Sequence, residues 1–104
     1  RGECPVEDFM DSLPEKVIRK IGWVLKIVRG SEIAHAIYFC KLTDTQGLWE
    51  VRIKLGSNIY RILAFMEGHT IVLTNGFIKK TQRTPVHEIE RAQNYKRDHF
   101  ARRN

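Results

Sequence analysis

At 104 residues, 42% apolar and 29% charged, the chain suits one hydrophobic core, is too short for two, and has the balance of a globular protein. No apolar run approaches the roughly 20 residues of a membrane span and no leader pattern is visible, so a single cytoplasmic domain, 1–104, is expected rather than a helical membrane protein. The net charge of +6 sits at one end: residues 1–48 hold seven Lys/Arg against seven Asp/Glu, residues 49–78 three against two, and residues 79–104 eight against three. A basic end on a neutral front points to a polyanionic partner, either nucleic acid or an acidic protein segment.

In chain order, Arg1 to Val6 shows no periodicity. Glu7 to Leu13 is compatible with a short helix whose apolar side is Phe9, Met10 and Leu13. Ser12-Leu13-Pro14-Glu15 has the spacing of a capping box, which predicts a second helix starting there, with Pro14 in its first turn. Val17, Ile18, Ile21, Val24, Leu25 and Val28 then recur at helical spacing as far as Gly30. Trp23 and Ile27 widen that stripe, and a face of this kind packs against a sheet. Ser31 to Leu42 leaves two readings open: a short strand at Ile37-Tyr38-Phe39, or a loop folded across the core. Thr43 to Gly47 is a turn.

Leu48 to Lys80 reads as three strands joined by the turns Gly56-Ser57-Asn58 and Glu67-Gly68-His69. Alternation in the first strand puts Trp49, Val51, Ile53 and Leu55 on one face, and Glu50, Arg52 and Lys54 on the other. Arg61 is the one charge in the apolar run of the second. A strand covered on both faces accepts such a charge only with a partner or a task. Two readings stand: an ion pair with Glu50 across the hairpin, or an anion ligand. Thr81 to Thr84 is a basic loop, and Thr84-Pro85 is predicted to cap a last helix with Glu88 and Glu90 near its positive end. Its apolar stripe is Val86, Ile89, Ala92, Tyr95 and Phe100. The whole reads as an α+β domain of two N-terminal helices, an antiparallel sheet of three to four strands and a C-terminal helix.

Cys4 and Cys40 are expected to be reduced thiols. His35, His69, His87 and His99 have no metal-ligand spacing with each other or with cysteine, so neither a metal nor a cofactor is expected. Sequential hairpins would bring Arg52, Lys54, Arg61, Lys79 and Lys80 toward one side of the sheet, with Arg83 in the loop beyond. Cations without matching acids make sense as a cradle for a phosphodiester. Tyr60 and His87 are the nearest groups able to stack on a base or handle a proton.

At Trp49-Glu50-Val51-Arg52, Tyr60-Arg61-Ile62 and Gly76-Phe77-Ile78-Lys79-Lys80-Thr81-Gln82-Arg83-Thr84-Pro85, the sequence resembles the phage-derived HigB-type branch of the RelE/ParE toxin superfamily. Pro5-Val6-Glu7-Asp8-Phe9 and Glu88-Ile89-Glu90-Arg91-Ala92 resemble that branch's opening and closing helices. The resemblance implies a RelE-like fold with a further strand before Arg1. It also implies a type II toxin that cuts mRNA on the ribosome and is silenced by a small helix-turn-helix, HigA-like antitoxin. In that chemistry the ribose 2′-OH attacks the adjacent phosphate without a metal, leaving a 2′,3′-cyclic phosphate and a 5′-OH. By motif position Arg61 would stabilise the transition-state phosphate, Lys54 would act as general base or charge stabiliser, and Lys80 would be the cation after the last strand. Arg52, Tyr60, Lys79 and Arg83 would bind RNA. RelE uses a tyrosine where this chain has Pro85, Val86 and His87, which makes His87 the candidate proton donor. Two other classes share the frame: a ParE-like gyrase inhibitor, and a non-catalytic protein that binds nucleic acid or an antitoxin.

Overall fold

A computed structural model of the chain describes residues 4–30, 37–79 and 83–102. The elements run α1 (Pro5–Asp11), α2 (Glu15–Gly30), β1 (Phe39–Lys41), β2 (Leu48–Leu55), β3 (Asn58–Glu67), β4 (Thr70–Lys79) and α3 (Val86–Arg102). The strands form one antiparallel sheet in the order β1-β2-β3-β4. The α+β reading with a C-terminal helix therefore stands. The strand foreseen at Ile37-Tyr38-Phe39 lies two residues later, because Phe39 is buried opposite Val51 while Ile37 is exposed.

Period-two alternation gives the sheet two covered faces. Phe39, Val51, Ile53, Tyr60, Ile62 and Ala64 meet Val17, Ile21, Val24 and Val28 of α2. The opposite face sets Leu48, Leu63, Phe65 and Phe77 against Ala92 of α3, with Ile89 and Tyr95 beside it. Both hairpins turn in two residues. Gly56 and Gly68 each take positive φ at the first connecting position, as a type II′ connection requires. Trp23 does not join the core; it stays on the surface, its ring edge-on to Tyr38 and beneath the Lys20 ammonium.

Two predicted caps act differently. Ser12 has helical dihedrals, which an N-cap does not, and its hydroxyl donates to the Phe9 carbonyl at 2.6 Å. It closes α1 rather than opening α2. Thr84 donates its hydroxyl proton to Glu50 Oε2 at 2.9 Å, which ties the segment before α3 to the sheet.

A bulge positions α3. Between Ile62↔Gly76 and Ala64↔Leu73 the register slips at Thr74 and Asn75, so Asn75 turns toward the helix. Its Nδ2 donates to the Glu88 carbonyl at 3.2 Å and to Glu88 Oε1 at 2.9 Å, all inside the protein. The Thr74 hydroxyl lies 3.0 Å from the Leu63 carbonyl and 2.8 Å from Asn75 Oδ1. Farther along α3, Lys96 donates to the Gln46 carbonyl at 2.6 Å and His99 Nε2 lies 3.1 Å from Glu67 Oε1.

Helix α1 crosses β4 at Gly76, where an added Cβ would come within 2.2 Å of the Phe9 ring. Gly76→Ala is expected to destabilise the protein by about 1–3 kcal/mol, the usual cost of overpacking. Phe9→Ala in the same chain should cancel part of that loss, because contacting residues are not additive. Strictly additive losses in thermal melts would contradict the contact.

Candidate functional site

The face of β2 turned toward α3 carries Leu48, Glu50, Arg52 and Lys54. Hairpin register sets Arg52 directly opposite Arg61, and Arg61 opposite Phe77 of β4. One step toward the hairpin turn, Lys54 and Lys79 flank Ile59. Like charges directly opposite on neighbouring strands repel. Glu50 resolves the conflict.

Glu50 is 1% exposed and Arg61 8%. Arg61 Nη1 donates to Glu50 Oε1 at 3.0 Å, and Arg52 Nε lies 3.5 Å from the same oxygen. With Thr84 on Oε2, the carboxylate has partners at both oxygens. Arg61 Nε is buried without a hydrogen-bond partner. Of the two sequence readings of Arg61, the ion pair is the one seen. Burial pushes its guanidinium below the ordinary value while Glu50 pulls it back up, and an arginine stays charged throughout.

Over this pair opens a cleft of about 540 Å³, bounded by Lys41 to Asp44, by Arg52 and Glu50 of β2, by Lys79, Arg83 and Thr84, and by Val86 and Ile89 of α3. Another hollow, of about 600 Å³, lies beyond α2 between Arg29 and His69 and gathers fewer charges. Arg52, Lys79 and Arg83 thus converge on one cleft, with Arg61 behind them. Among the described residues, no group of three or more His, Cys, Asp or Glu side chains could hold a metal ion, and both cysteines are unbridged. No described helix is long and apolar enough to cross a membrane.

Other expected site residues fall elsewhere. Tyr60 has the opposite parity to Arg61. It is buried on the α2 side, and its hydroxyl accepts from Asn58 at 3.3 Å, so it cannot stack on a base in this cleft. Lys54 is exposed and outside the lining. His87 is 73% exposed, with Nε2 3.3 Å from Glu88 Oε2, and does not line the cleft either. Val86, assigned to the core stripe, is 70% exposed and forms part of the cleft wall. Lys80, with the rest of 80–82, lies outside the described residues.

Two features escaped the sequence reading. Sequence alone makes Glu50 a partner for Arg61, whereas in the structure it is the centre of a three-way junction. Sequence alone makes Lys79 a binding residue, yet its ammonium is pushed below the ordinary 10.5, first by burial and then by Arg61 and Arg52, with Glu50 opposing. Strand parity puts Lys79 on the same face as Arg61, but it does not report the burial that lowers the ammonium. Because the folded pKa is the lower one, the unfolded chain binds more protons between that value and 10.5, so Lys79 makes stability rise with pH in this window. Lys79→Met is expected to remove that contribution in melts taken across alkaline pH. An unchanged slope would contradict the shift.

Fold and cleft together define a small α+β protein that presents a cationic cleft built on one buried carboxylate. The chain belongs to the Phage derived protein Gp49-like (DUF891) family, whose profile matches residues 8–97. That family is associated with RelE-like toxins of toxin–antitoxin systems. No curated protein and no solved structure matches the chain.

Proposed function

We propose that the protein is a HigB-type toxin of a type II toxin–antitoxin pair, a metal-independent endoribonuclease that cuts mRNA at the ribosome. The observation that carries this reading is the convergence of Arg52, Lys79 and Arg83 on an open cleft that Glu50 also lines, with Arg61 paired to Glu50 behind it.

In this reading Arg52 and Arg83 grip the phosphodiester, and the ammonium of Lys79 or its neutral amine faces the reacting ribose. The lowered pKa of Lys79 enlarges the fraction of neutral amine available to take the 2′-OH proton. The 2′ oxygen attacks phosphorus as the bond to the 5′ oxygen breaks. Charge building on the phosphate is met by cations whose positions are already set, so little reorganisation is needed during reaction. The departing 5′ oxygen takes a proton from solvent in this reading. A cytoplasmic antitoxin with acidic side chains would silence the toxin by covering the cleft.

Induction of the wild-type chain in cells tests the class. Growth arrest with new mRNA 5′ ends in primer extension is the expected outcome. DNA damage without new 5′ ends would replace the nuclease by a ParE-like gyrase inhibitor.

A further inference from the structure

Glu50 makes an uneven set of contacts. Its Oε1 is shared by two guanidiniums, one close and one distant. Arg61 is nearly sealed, with Nη1 at 3.0 Å, whereas Arg52 holds Nε at 3.5 Å and leaves 45% of its side chain exposed. The first contact is a charge-assisted hydrogen bond; the second is a looser ion pair. Arg52 therefore keeps most of its five donors for another acceptor.

We propose that Glu50 is a positioning residue acting as a resident counter-anion: it restrains Arg52 at the mouth of the cleft until a phosphodiester takes that guanidinium over, while Arg61 stays with Glu50. The inference rests on the anion-binding part of the function above, but not on catalysis. Three observations support it. Arg52 and Arg61 stand directly opposite each other, so one carboxylate between them offsets a repulsion that would turn the exposed arginine away. Thr84 occupies Oε2 at 2.9 Å, so the same carboxylate also tethers the segment that brings Arg83 to the cleft. And Glu50 is buried beneath the cations, where it lowers their field without blocking the approach of an anion.

The resident anion makes a trade. It orients Arg52 and weakens the grip on phosphate, which favours release of a cleaved product. Glu50→Gln keeps the shape and one acceptor oxygen but removes the charge. A Glu50 whose charge did not offset the field of the cleft's cations would leave anion affinity unchanged or lower it when lost. A counter-anion predicts the reverse.

Binding of a short oligodeoxynucleotide reads the anion site alone, because it lacks the 2′-OH and cannot be cut by this chemistry. Folded Glu50→Gln protein is expected to bind it about threefold to tenfold more tightly than wild type at one moderate salt concentration. Equal or weaker binding by a folded variant would overturn the proposal. Should Glu50→Gln fail to fold, wild-type protein serves in heteronuclear NMR of the arginine Nε–Hε groups, assigned with Arg52→Lys. Saturating inorganic phosphate is expected to move the Arg52 signal and leave that of Arg61 in place. A still Arg52 signal, or a shift of both together, would overturn it. If wild type binds the oligodeoxynucleotide and Glu50→Gln tightens that binding, yet wild type never cuts RNA, the nuclease reading fails and the counter-anion stands.

Discussion

Lys79→Met is expected to lower mRNA cleavage by about 10²–10³-fold while the protein stays folded, the range seen when a proton-transfer group or one charge-stabilising donor is removed. The fold should tolerate the change because Lys79 ends β4 and is only partly buried, so methionine keeps the apolar stem and removes a charge that burial already disfavours. Arg52→Ala should lower cleavage to a similar extent for a different reason, as it removes an exposed guanidinium from the mouth of the cleft. The two effects separate by pH. With Arg52→Ala the rate should still climb with rising pH as the Lys79 amine loses its proton, and with Lys79→Met that climb should vanish. Full activity of folded Lys79→Met protein would remove Lys79 from the mechanism.

Arg61→Ala is expected to destabilise the protein by about 3–5 kcal/mol, because it strands the buried Glu50 carboxylate without its closest counter-charge. For a domain of this size that is a fall of roughly 12–40 °C in Tm, at about 4–8 °C per kcal/mol. Replacing both partners, Glu50→Leu with Arg61→Met, should recover most of the loss, since a buried ion pair is often matched by apolar groups of similar volume. A wild-type Tm for Arg61→Ala would show that the pair is not sealed as described. Loss of toxicity in Arg61→Ala therefore does not by itself identify a catalytic arginine. Arg52 and Lys79 carry that test.

Much of this architecture is readable in the residues themselves, because alternation and turn chemistry act locally. Leu48 to Leu55 announces a strand with one covered and one charged face, and Gly56 and Gly68 announce the hairpins. Arg61 stands out as a charge in an apolar run, and its partner Glu50 follows from an antiparallel hairpin. Parity alone could also have removed Tyr60 from the site, since neighbours on a strand face opposite sides. Other features depend on contacts far apart in sequence. Ser12 and Thr84 have cap-forming chemistry, but their acceptors are Phe9 behind one and Glu50 across the sheet from the other. The bulge at Thr74 and Asn75 shows no local signature, yet through Asn75 it holds the first turn of α3 against the sheet. The depressed pKa of Lys79 arises from burial and from charges on two other strands, which no spacing rule along the chain reports.

In the proposed function this cleft cuts RNA by attack of the 2′-OH. Purified protein incubated with ribosomes carrying a defined mRNA, followed by analysis of the fragment termini, tests it most directly. Wild type should yield upstream fragments ending in a 2′,3′-cyclic phosphate and downstream fragments beginning with a 5′-OH, and folded Lys79→Met should yield almost none. Intact mRNA with wild type would rule out that chemistry, and equal cleavage by both proteins would remove Lys79 from it.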